Sequence, residues 1–333
     1  MTPPARVASR CGTVIRNSDT LIHSRGVSFT VRHRIPSHEM ALPRTSPKAQ
    51  SRSIQAAARA LARGRPREMR ARAIVPDHDA VAWTAQHLHR VIFGVADPLG
   101  GSSEVTLQTI SEILIAEIAA AFAATSKDAA TATARATATL RSLMRSLPKI
   151  QRALLIDLEC AYNRDPAART RVEIVLCYPG LRALCVHRIA HELDRIGVPL
   201  IPRMLAESAH DSTGIDIHPS ASIGSGFFVD HGTSVVIGET SVIGKNCTIY
   251  QGVTLGARRF NRDASGAIRK GSKRHPTLRD NVTVYANATI LGGDTIIGKG
   301  STIAAGVLVQ ESIPANSIVK PARVELTVAR TRR

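Results

Sequence analysis

The chain has 333 residues, enough for two domains with hydrophobic cores, and only 3% of them are aromatic. Its net charge of +18 could suggest a nucleic-acid-binding protein, but +12 of that charge lies in residues 1–74. The remainder is only mildly basic, which also fits a phosphate-bearing small ligand. No run of eighteen apolar residues occurs, so we expect no membrane span. The five cysteines form no CxxC pair, which favours reduced thiols and a cytoplasmic location.

Residues 1–75 show no sustained hydrophobic periodicity and are rich in Arg, Ser, Pro and Ala. We interpret this segment as a disordered basic arm. An Arg-rich, acid-poor N-terminus is also typical of an organelle transit peptide, and Met40 and Met69 are alternative start positions. The sequence leaves these three readings open. Because aromatic residues are scarce in the arm, we expect no nucleic-acid partner.

Residues 76–212 are predicted to form an α-helical domain, because their apolar residues recur at steps of three or four. Within this domain, Asp165 followed by Pro166 predicts the N-cap and first residue of a helix. His187 and His191 are four residues apart, as zinc ligands can be. However, the HExxH order is absent and no third ligand is evident, so we expect packing or hydrogen-bonding roles and no metal.

Residues 213–323 carry aliphatic side chains at every sixth position. The positions are Ile217, Ile223, Val229, Ile237, Ile243, Ile249, Leu255, Leu278, Val284, Ile290, Ile297, Ile303 and Val309. A period of six predicts a left-handed parallel β-helix of hexapeptide repeats, and therefore an α+β fold. Glycine often follows the aliphatic residue, as at Gly224 and Gly238, where we expect a positive φ at the corners.

The six-residue period breaks at three places, and sites are expected there because breaks put side chains outside the stack. The breaks follow Asp230-His231, follow Ile290, and coincide with a loop, residues 257–273, that ends just before Arg274-His275. This loop contains six Lys and Arg residues. It is equally well explained as a solvated loop and as a lid over a ligand.

Eight short motifs occur in a fixed order between residues 155 and 315. They are Asn163-Arg164-Asp165-Pro166, Tyr178-Pro179-Gly180, His187-Arg188-Ile189-Ala190-His191, Asp216-Ile217-His218-Pro219, Asp230-His231-Gly232, Val236-Ile237-Gly238-Glu239-Thr240, Gly252-Val253-Thr254-Leu255-Gly256 and Arg274-His275-Pro276. This ordered set resembles the serine O-acetyltransferases. The resemblance implies acetyl transfer from acetyl-CoA to the hydroxyl of L-serine, the first step of cysteine biosynthesis.

The residues themselves suggest a catalytic pair. Acetyl transfer to a hydroxyl needs a base, and a neutral imidazole suits that task near pH 7. His231 adjoins a break in the coil, and Asp216 lies about one coil earlier, where its carboxylate could orient the ring. The resemblance implies that His231 and Asp216 are the catalytic residues. The alternative for Asp216 is a turn-capping role.

The resemblance implies that L-serine is held by Asp165, Asp230, Arg274 and His275. The chemistry agrees, since Arg274 offers a planar fork for a carboxylate and the two Asp residues offer charge for an ammonium group. Cysteine is expected to inhibit by binding at the same site.

Acetyl-CoA is expected in a groove between neighbouring coils. The resemblance implies that Gly256 and Ala286 let backbone amides approach its pantetheine arm, and Lys299, Lys320 and Arg323 are candidates for its phosphates. Two departures from the family pattern concern this part of the site. Ala257 stands where a second glycine is common, and the usual Gly-x-Pro-Ala is replaced by a sequence that begins with Val319.

Three alternatives remain open on the sequence. Another hexapeptide acyltransferase could act on a sugar, although Asp165 and the preceding helical domain weigh against it. A carbonic anhydrase would need His218, His231 and His275 to converge on zinc. A non-catalytic scaffold would explain Ala257, but the presence of the candidate site residues weighs against it.

The resemblance also implies a homotrimer or a dimer of two trimers. In the resembled family, a tail that ends in Ile binds the active site of cysteine synthase. The tail here, residues 324–333, ends in Arg332-Arg333. Because desolvating an arginine in an apolar pocket is costly, we expect no tight complex with cysteine synthase.

Overall fold

The computed structural model describes residues 19–24, 27–32, 47–64, 75–96, 100–125, 129–260 and 262–322. They belong to two compact units, Met1–Ala71 and Arg72–Arg333. The first unit contains an antiparallel pair of strands, β1 (Asp19–Ser24) and β2 (Val27–Arg32), and the helix α1 (Pro47–Gly64). Residues 1–75 were predicted to be disordered, whereas these three segments of that range have regular secondary structure. The rest of that prediction lies outside the described residues.

In its described residues, the second unit begins with six helices and one short 3-10 turn. They are α2 (His78–Phe93), α3 (Ser103–Thr125), the turn Ala129–Thr131, α4 (Ala132–Arg164), α5 (Arg171–Cys177), α6 (Pro179–Arg195) and α7 (Ile201–Thr213). The apolar residues at steps of three or four face inward, and Leu114, Ile118 and Leu143 are fully buried. Hydrophobic periodicity therefore defines the core of the helical domain.

By length and composition alone, α3 could cross a membrane, and a third of its most apolar window is buried. Core helices of soluble proteins and signal sequences meet the same criterion. The helix packs against α2 and α4. Its Glu117 accepts a hydrogen bond of 2.6 Å from the backbone N–H of Asp77, the residue that caps the start of α2. The contacts of α3 are thus those of a helix within a bundle.

From Ile215 the chain winds through five coils whose strands form three parallel sheets. The first sheet contains β3 (Ile215–Ile217), β6 (Val235–Ile237), β9 (Thr254–Gly256), β12 (Thr289–Leu291) and β15 (Leu308–Val309). The second contains β4 (Ser222–Ile223), β7 (Val242–Ile243), β10 (Thr277–Leu278) and β13 (Ile296–Ile297). The third contains β5 (Phe228–Val229), β8 (Thr248–Ile249), β11 (Thr283–Val284), β14 (Thr302–Ile303) and β16 (Ile318–Val319). The predicted α+β fold, helices followed by a parallel β-helix, is confirmed.

The aliphatic residues of the six-residue period fill the interior of the coils. Ile237, Leu255 and Ile290 pair in register on consecutive strands and are at most 1% exposed. The conformation predicted for the glycines that follow them is wrong, because neither Gly224 nor Gly238 has a positive φ. Glycine is needed there for close approach: a Cβ on Gly238 would lie 2.1 Å from the His275 ring.

A buried ion pair fixes the helical domain on the first coil. Asp157 of α4 is fully buried and binds Arg188 of α6, with Nε and Oδ2 2.7 Å apart. The same carboxylate accepts the backbone N–H groups of Gly226 and Phe227 at 2.8 and 3.0 Å. Arg188 also donates to the carbonyl of Gly224. These bonds hold the C-terminal part of α4 beside the turn that joins β4 to β5.

Candidate active site

Most of the predicted site residues lie at two corners of the prism. One corner is where the strands of the first sheet begin, and the other is where those strands end. At the upstream corner the third sheet leads into the first, and the turn of the first coil spans residues 230–234. At the downstream corner the first sheet leads into the second. The loop 257–273 leaves the prism there on the third coil.

His231 lies at the upstream corner in a turn with unusual backbone geometry. It is exposed and has a φ of 53°, which is uncommon for a residue other than glycine. Gly232 follows with a φ of 84°, and a Cβ there would lie 2.4 Å from the side chain of Ile215. The turn is therefore pressed against the start of β3, the strand that carries Asp216. This places the predicted base and the predicted carboxylate on the first coil, on neighbouring segments.

The predicted N-cap role of Asp165 is wrong. Asp165 follows the last residue of α4, and its carboxylate accepts the backbone N–H of Ala167 at 2.8 Å, which is an Asx turn. The next helix, α5, begins only at Arg171, and its N-cap is Thr170. Residues 166–169 turn without forming a helix, so the carboxylate of Asp165 is not needed as a helix cap.

Tyr178, to which the sequence assigned no role, binds one of the two predicted ammonium ligands. Its hydroxyl donates a hydrogen bond of 2.5 Å to Asp165 Oδ2. Burial, this bond, and the charges of Asp165, Glu173 and Asp230 raise the pKa of Tyr178. Tyr178 also lines a small cavity with Val229, the residue before Asp230, so Asp165 is held near the His231 turn. The Tyr-Pro-Gly motif was the available signal for this residue.

At the downstream corner, Thr240 organises the predicted carboxylate-binding residues. Its hydroxyl accepts the backbone N–H groups of Arg274 and His275 at 2.9 and 3.0 Å, and its own N–H donates to His275 Nδ1 at 3.0 Å. Burial, followed by the charge of Arg274, lowers the pKa of His275 to about 4. The ring is therefore neutral near pH 7, with its proton on Nε2.

The guanidinium of Arg274 forms an ion pair with Glu239. A cavity of about 340 Å³ adjoins this pair and is walled on its other side by the loop, including Phe260 and Ile268. Lys273 holds the end of the loop through hydrogen bonds to the carbonyls of Thr240 and His275. A group that binds Arg274 through a carboxylate must therefore share it with Glu239 or displace that side chain.

The residues predicted to bind acetyl-CoA lie at three different corners. Ala286 and Lys320 are at the upstream corner, on the third and fifth coils. Gly256 ends β9 at the downstream corner. Lys299 lies between the second and third sheets, and Arg323 is outside the described residues. Within one chain, Ala286 and Lys320 thus share a corner, whereas Gly256 and Lys299 lie at the other two corners.

Among the residues that the structure describes, no hydrogen bond or ion pair joins the upstream cluster of Asp165, Tyr178 and Asp230 to the downstream pair of Arg274 and Glu239. The same described residues contain no group of three or more His, Cys, Asp or Glu that could hold a metal ion. The site is thus divided between the two ends of the first sheet.

The coils and the imidazole and carboxylates at their corners place the chain among the hexapeptide-repeat β-helix proteins with an N-terminal helical domain. Residues 104–185 match the model of the serine acetyltransferase N-terminal domain. The structure is similar to serine acetyltransferase 1 from Entamoeba histolytica in complex with L-cysteine, with a TM-score of 0.64, 36% identity, and 71% and 86% of the two chains covered. The chain belongs to the serine acetyltransferase family.

Two further relatives support this assignment. A plasmid-encoded serine acetyltransferase of Synechococcus elongatus is 46% identical over 184 residues, which are 55% of this chain and 57% of that protein. The match thus spans little more than half of that relative's length. A Neisseria gonorrhoeae serine acetyltransferase in complex with serine has a TM-score of 0.50 and 27% identity, with 73% and 97% of the two chains covered.

Proposed function

We propose that the protein transfers the acetyl group of acetyl-CoA to the hydroxyl of L-serine, giving O-acetyl-L-serine and CoA. The observation that carries this proposal is the cluster at the upstream corner. There, Tyr178 binds Asp165 and lines a small cavity with Val229, which precedes Asp230 and the turn that presents His231 to solvent. An ammonium group bound by two carboxylates would hold an amino acid next to an imidazole.

In this mechanism His231 acts as general base on the serine hydroxyl. As the oxygen attacks the thioester carbonyl, its proton passes to the imidazole, and a tetrahedral oxyanion forms. Collapse of the oxyanion breaks the C–S bond, and the imidazolium returns the proton to the departing CoA thiolate. Asp216, on the strand beside the His231 turn, orients the ring and stabilises its charged form. Acetyl-CoA is a co-substrate here, and the chemistry assigned to the protein needs no metal.

Recognition of the amino acid would use both corners. Asp165 and Asp230 bind the ammonium group, and Arg274 binds the carboxylate through its planar fork. The neutral His275 has Nδ1 occupied by Thr240 and can donate from Nε2. Glu239 keeps Arg274 paired until the substrate arrives. Cysteine has the same ammonium and carboxylate groups, so it would compete with serine.

We infer that the active form is a homotrimer, or a dimer of two trimers. The upstream and downstream clusters lie at opposite ends of the first sheet. Copies packed side by side would bring the downstream corner of one chain against the upstream corner of the next, and acetyl-CoA would lie in the groove between them. Val236 and Leu308 on the outer face of the first sheet are 37% and 59% exposed, which favours burial against another chain.

The test is release of free thiol from acetyl-CoA by the purified full chain in the presence of a chelator. The acceptors are L-serine, D-serine, glycerate, which lacks the ammonium group, serine methyl ester, which lacks the carboxylate, and a panel of sugars. Turnover with L-serine alone is expected, and cysteine should raise the KM for serine. A sugar that outperforms L-serine would contradict the proposal, as would the absence of turnover with all acceptors.

A further inference from the structure

Five residues lie one above another at the upstream corner, one on each coil. This corner column consists of Asp230, Tyr250, Tyr285, Ala304 and Lys320. Each follows the last residue of a strand in the third sheet, and those strands pair in register. The backbone N–H groups of the first four donate to carbonyls on the next coil at 2.9, 3.1, 2.9 and 2.8 Å. The column is therefore fixed by the β-helix itself.

The side chains of the column face outward, because the residues before them point into the core. Ile249 and Val284, which precede the two tyrosines, are fully buried. The rings of Tyr250 and Tyr285 stack with their centroids 4.9 Å apart and their planes at 14°. This distance is close to the ~4.8 Å between adjacent strands, so the register of the coils produces the stack. The pair forms a continuous aromatic surface two coils high.

The aromatic surface begins at the amino-acid cluster. Val229 and Ile249 pair in register, so Tyr250 stands directly above Asp230 on the next coil. Tyr285 is 41% exposed. Among the described residues, neither phenol has a hydrogen-bond partner. Solenoid stacking alone would be served by small residues such as Ala304, whereas these rings present a broad apolar face to solvent.

The column also has an electrical polarity. Asp230 stands at its lower end, followed by two neutral rings, a small residue and Lys320 at the upper end. Four coil steps of ~4.8 Å separate the two charges by roughly 19 Å. A ligand that lies along the column would meet a carboxylate, then an uncharged surface, then an ammonium group. A neutral arm that ends in phosphates matches this order.

We propose that Tyr250 and Tyr285 form the wall that binds the acyl donor, with the acetyl group and the neighbouring pantetheine arm against their rings and the phosphates towards Lys320. The assignment rests on the proposed acetyl transfer, since it takes acetyl-CoA as the ligand. It makes the two tyrosines binding residues for the donor rather than for the amino acid. It also gives Ala304 a role, because a larger side chain there would block the arm.

The test compares KM values for both substrates in four variants. Tyr250→Leu and Tyr285→Ala should each raise the KM for acetyl-CoA about fivefold to tenfold, as expected for loss of an aromatic contact. The KM for serine should change less than twofold. Tyr250→Phe and Tyr285→Phe keep the ring and should behave as the wild type. Tyr162→Leu is the matched control, because the Tyr162 ring belongs to α4 and stacks on Arg171 rather than on a column residue.

Melting temperatures and direct titration with CoA complete the experiment. If the KM for serine rises instead, the rings belong to the amino-acid site and the proposal is wrong. If both KM values stay constant, the stack is only structural and the proposal is also wrong. Titration separates this proposal from the proposed function. Suppose that the wild-type chain binds CoA without acetylating serine, and that Tyr250→Leu and Tyr285→Ala both weaken CoA binding. This result would refute the proposed reaction but support the binding role of the two tyrosines.

Discussion

At the residue scale, the backbone of His231 is the most informative feature. A φ of 53° is uncommon for residues other than glycine, although Asn, Asp and His adopt it more readily than most, and holding it costs on the order of 1 kcal/mol. Where the other corners of the coil have a positive φ without glycine, the residue is mainly asparagine, as at Asn246 and Asn281. Since the comparable turns use asparagine, the imidazole at this position indicates a chemical role.

His231→Ala is expected to lower kcat about 10²–10⁴-fold, the usual contribution of a positioned base. His231→Asn is the matched variant, because asparagine tolerates the left-handed backbone and should preserve the melting temperature while losing activity equally. Steady-state kinetics and circular dichroism check both. Near-normal turnover in either folded variant would rule out His231 as the base.

Arg274→Lys keeps the positive charge but loses the planar fork, so the KM for serine should rise by about tenfold while that for acetyl-CoA barely changes. The control is Arg279→Lys, an exposed arginine at another corner, which should leave both constants unchanged. If acetyl-CoA binding weakens most in Arg274→Lys, the guanidinium belongs to the acyl-donor site.

His275 should make stability fall with acidification. Its folded-state pKa is about 4, below the ordinary value of 6.5. Between these two values the unfolded chain takes up a proton that the folded chain does not, so the free energy of unfolding decreases as pH falls from 6.5 towards 4. The loss from this residue should be on the order of 1–2 kcal/mol between pH 7 and pH 5.

Urea unfolding at pH 7 and pH 5 measures this effect. His275→Asn, which can accept the Thr240 N–H but does not titrate, should lose less stability than the wild type over the same interval. An equal loss in both proteins would show that other groups account for the pH dependence. His89, whose pKa burial also lowers to about 4, is the first of those.

At the scale of elements, the contact between the helices and the first coil depends on one buried carboxylate. Asp157 serves Arg188 and two backbone N–H groups at once. Burial raises the pKa of Asp157, and Arg188 acts in the opposite direction, so the charge is kept by its partners. This contact orients α4, whose end presents Asp165 to the upstream corner.

Asp157→Ala should destabilise the protein by about 3–5 kcal/mol, because it leaves a buried guanidinium and two backbone donors without their acceptor. Asp157→Asn keeps one acceptor oxygen and should cost less. Glu311→Ala, at an exposed position of the fifth coil, is the control for removal of a carboxylate and should change stability by less than about 0.5 kcal/mol. The midpoints of denaturant unfolding measure these differences in stability. Equal midpoints for Asp157→Ala and the control would contradict the role given to this ion pair.

Local patterns in the sequence predict elements well, because each depends on neighbouring residues. The six-residue period predicted the β-helix, and the apolar steps predicted the helices. One error concerns a distant neighbour and the other the local course of the chain. Gly238 was assigned a turn conformation, but its small size makes room for the His275 ring on another coil. Asp165 resembled an N-cap because Pro166 follows it, whereas the turn after it does not become helical.

Dependence on distant neighbours also explains what was missed in the site. Glu239 and Arg274 are 35 residues apart, and the return path of the inserted loop decides that they meet. Tyr178 and Asp165 belong to different turns and are joined through a side-chain contact. The stack of Tyr250 on Tyr285 follows from a register that the loop interrupts in sequence. The six-residue period and the short motifs predict which residues face outward, but they do not predict which of those side chains contact each other.

At the scale of the whole molecule, the divided site predicts an assembly. Light scattering should give the mass of three or six chains. A sharper test mixes His231→Asn with Arg274→Ala by co-expression. If each site takes its two corners from different chains, about a quarter of the sites in random trimers carry both intact corners and activity returns. No recovery in mixed trimers would place both corners in one chain, and an active monomer would exclude the assembly.

The described residues end at residue 322, so the tail 324–333 and its expected failure to bind cysteine synthase stay predictions. Within the described part, the coil is covered differently at its two ends. The first coil lies under α6 and α7, where His191 and Asp194 bond to the turn after β3. Among the described residues, no helix makes a comparable contact with the strands of the fifth coil.

A solenoid is stabilised by contacts between neighbouring repeats, so a coil with one neighbour opens more readily than a coil with two. Within the described residues, we therefore expect the prism to be stiffest at its base and most compliant at its top. The carboxylates and the imidazole sit at the stiff end, where small errors of position would slow proton transfer. Lys320 sits at the compliant end, which can yield to a long, flexible molecule as it slides in and out. The rigid end of the coil thus carries the residues proposed to position the small acceptor. The compliant end carries the residue proposed to contact the far part of the long donor.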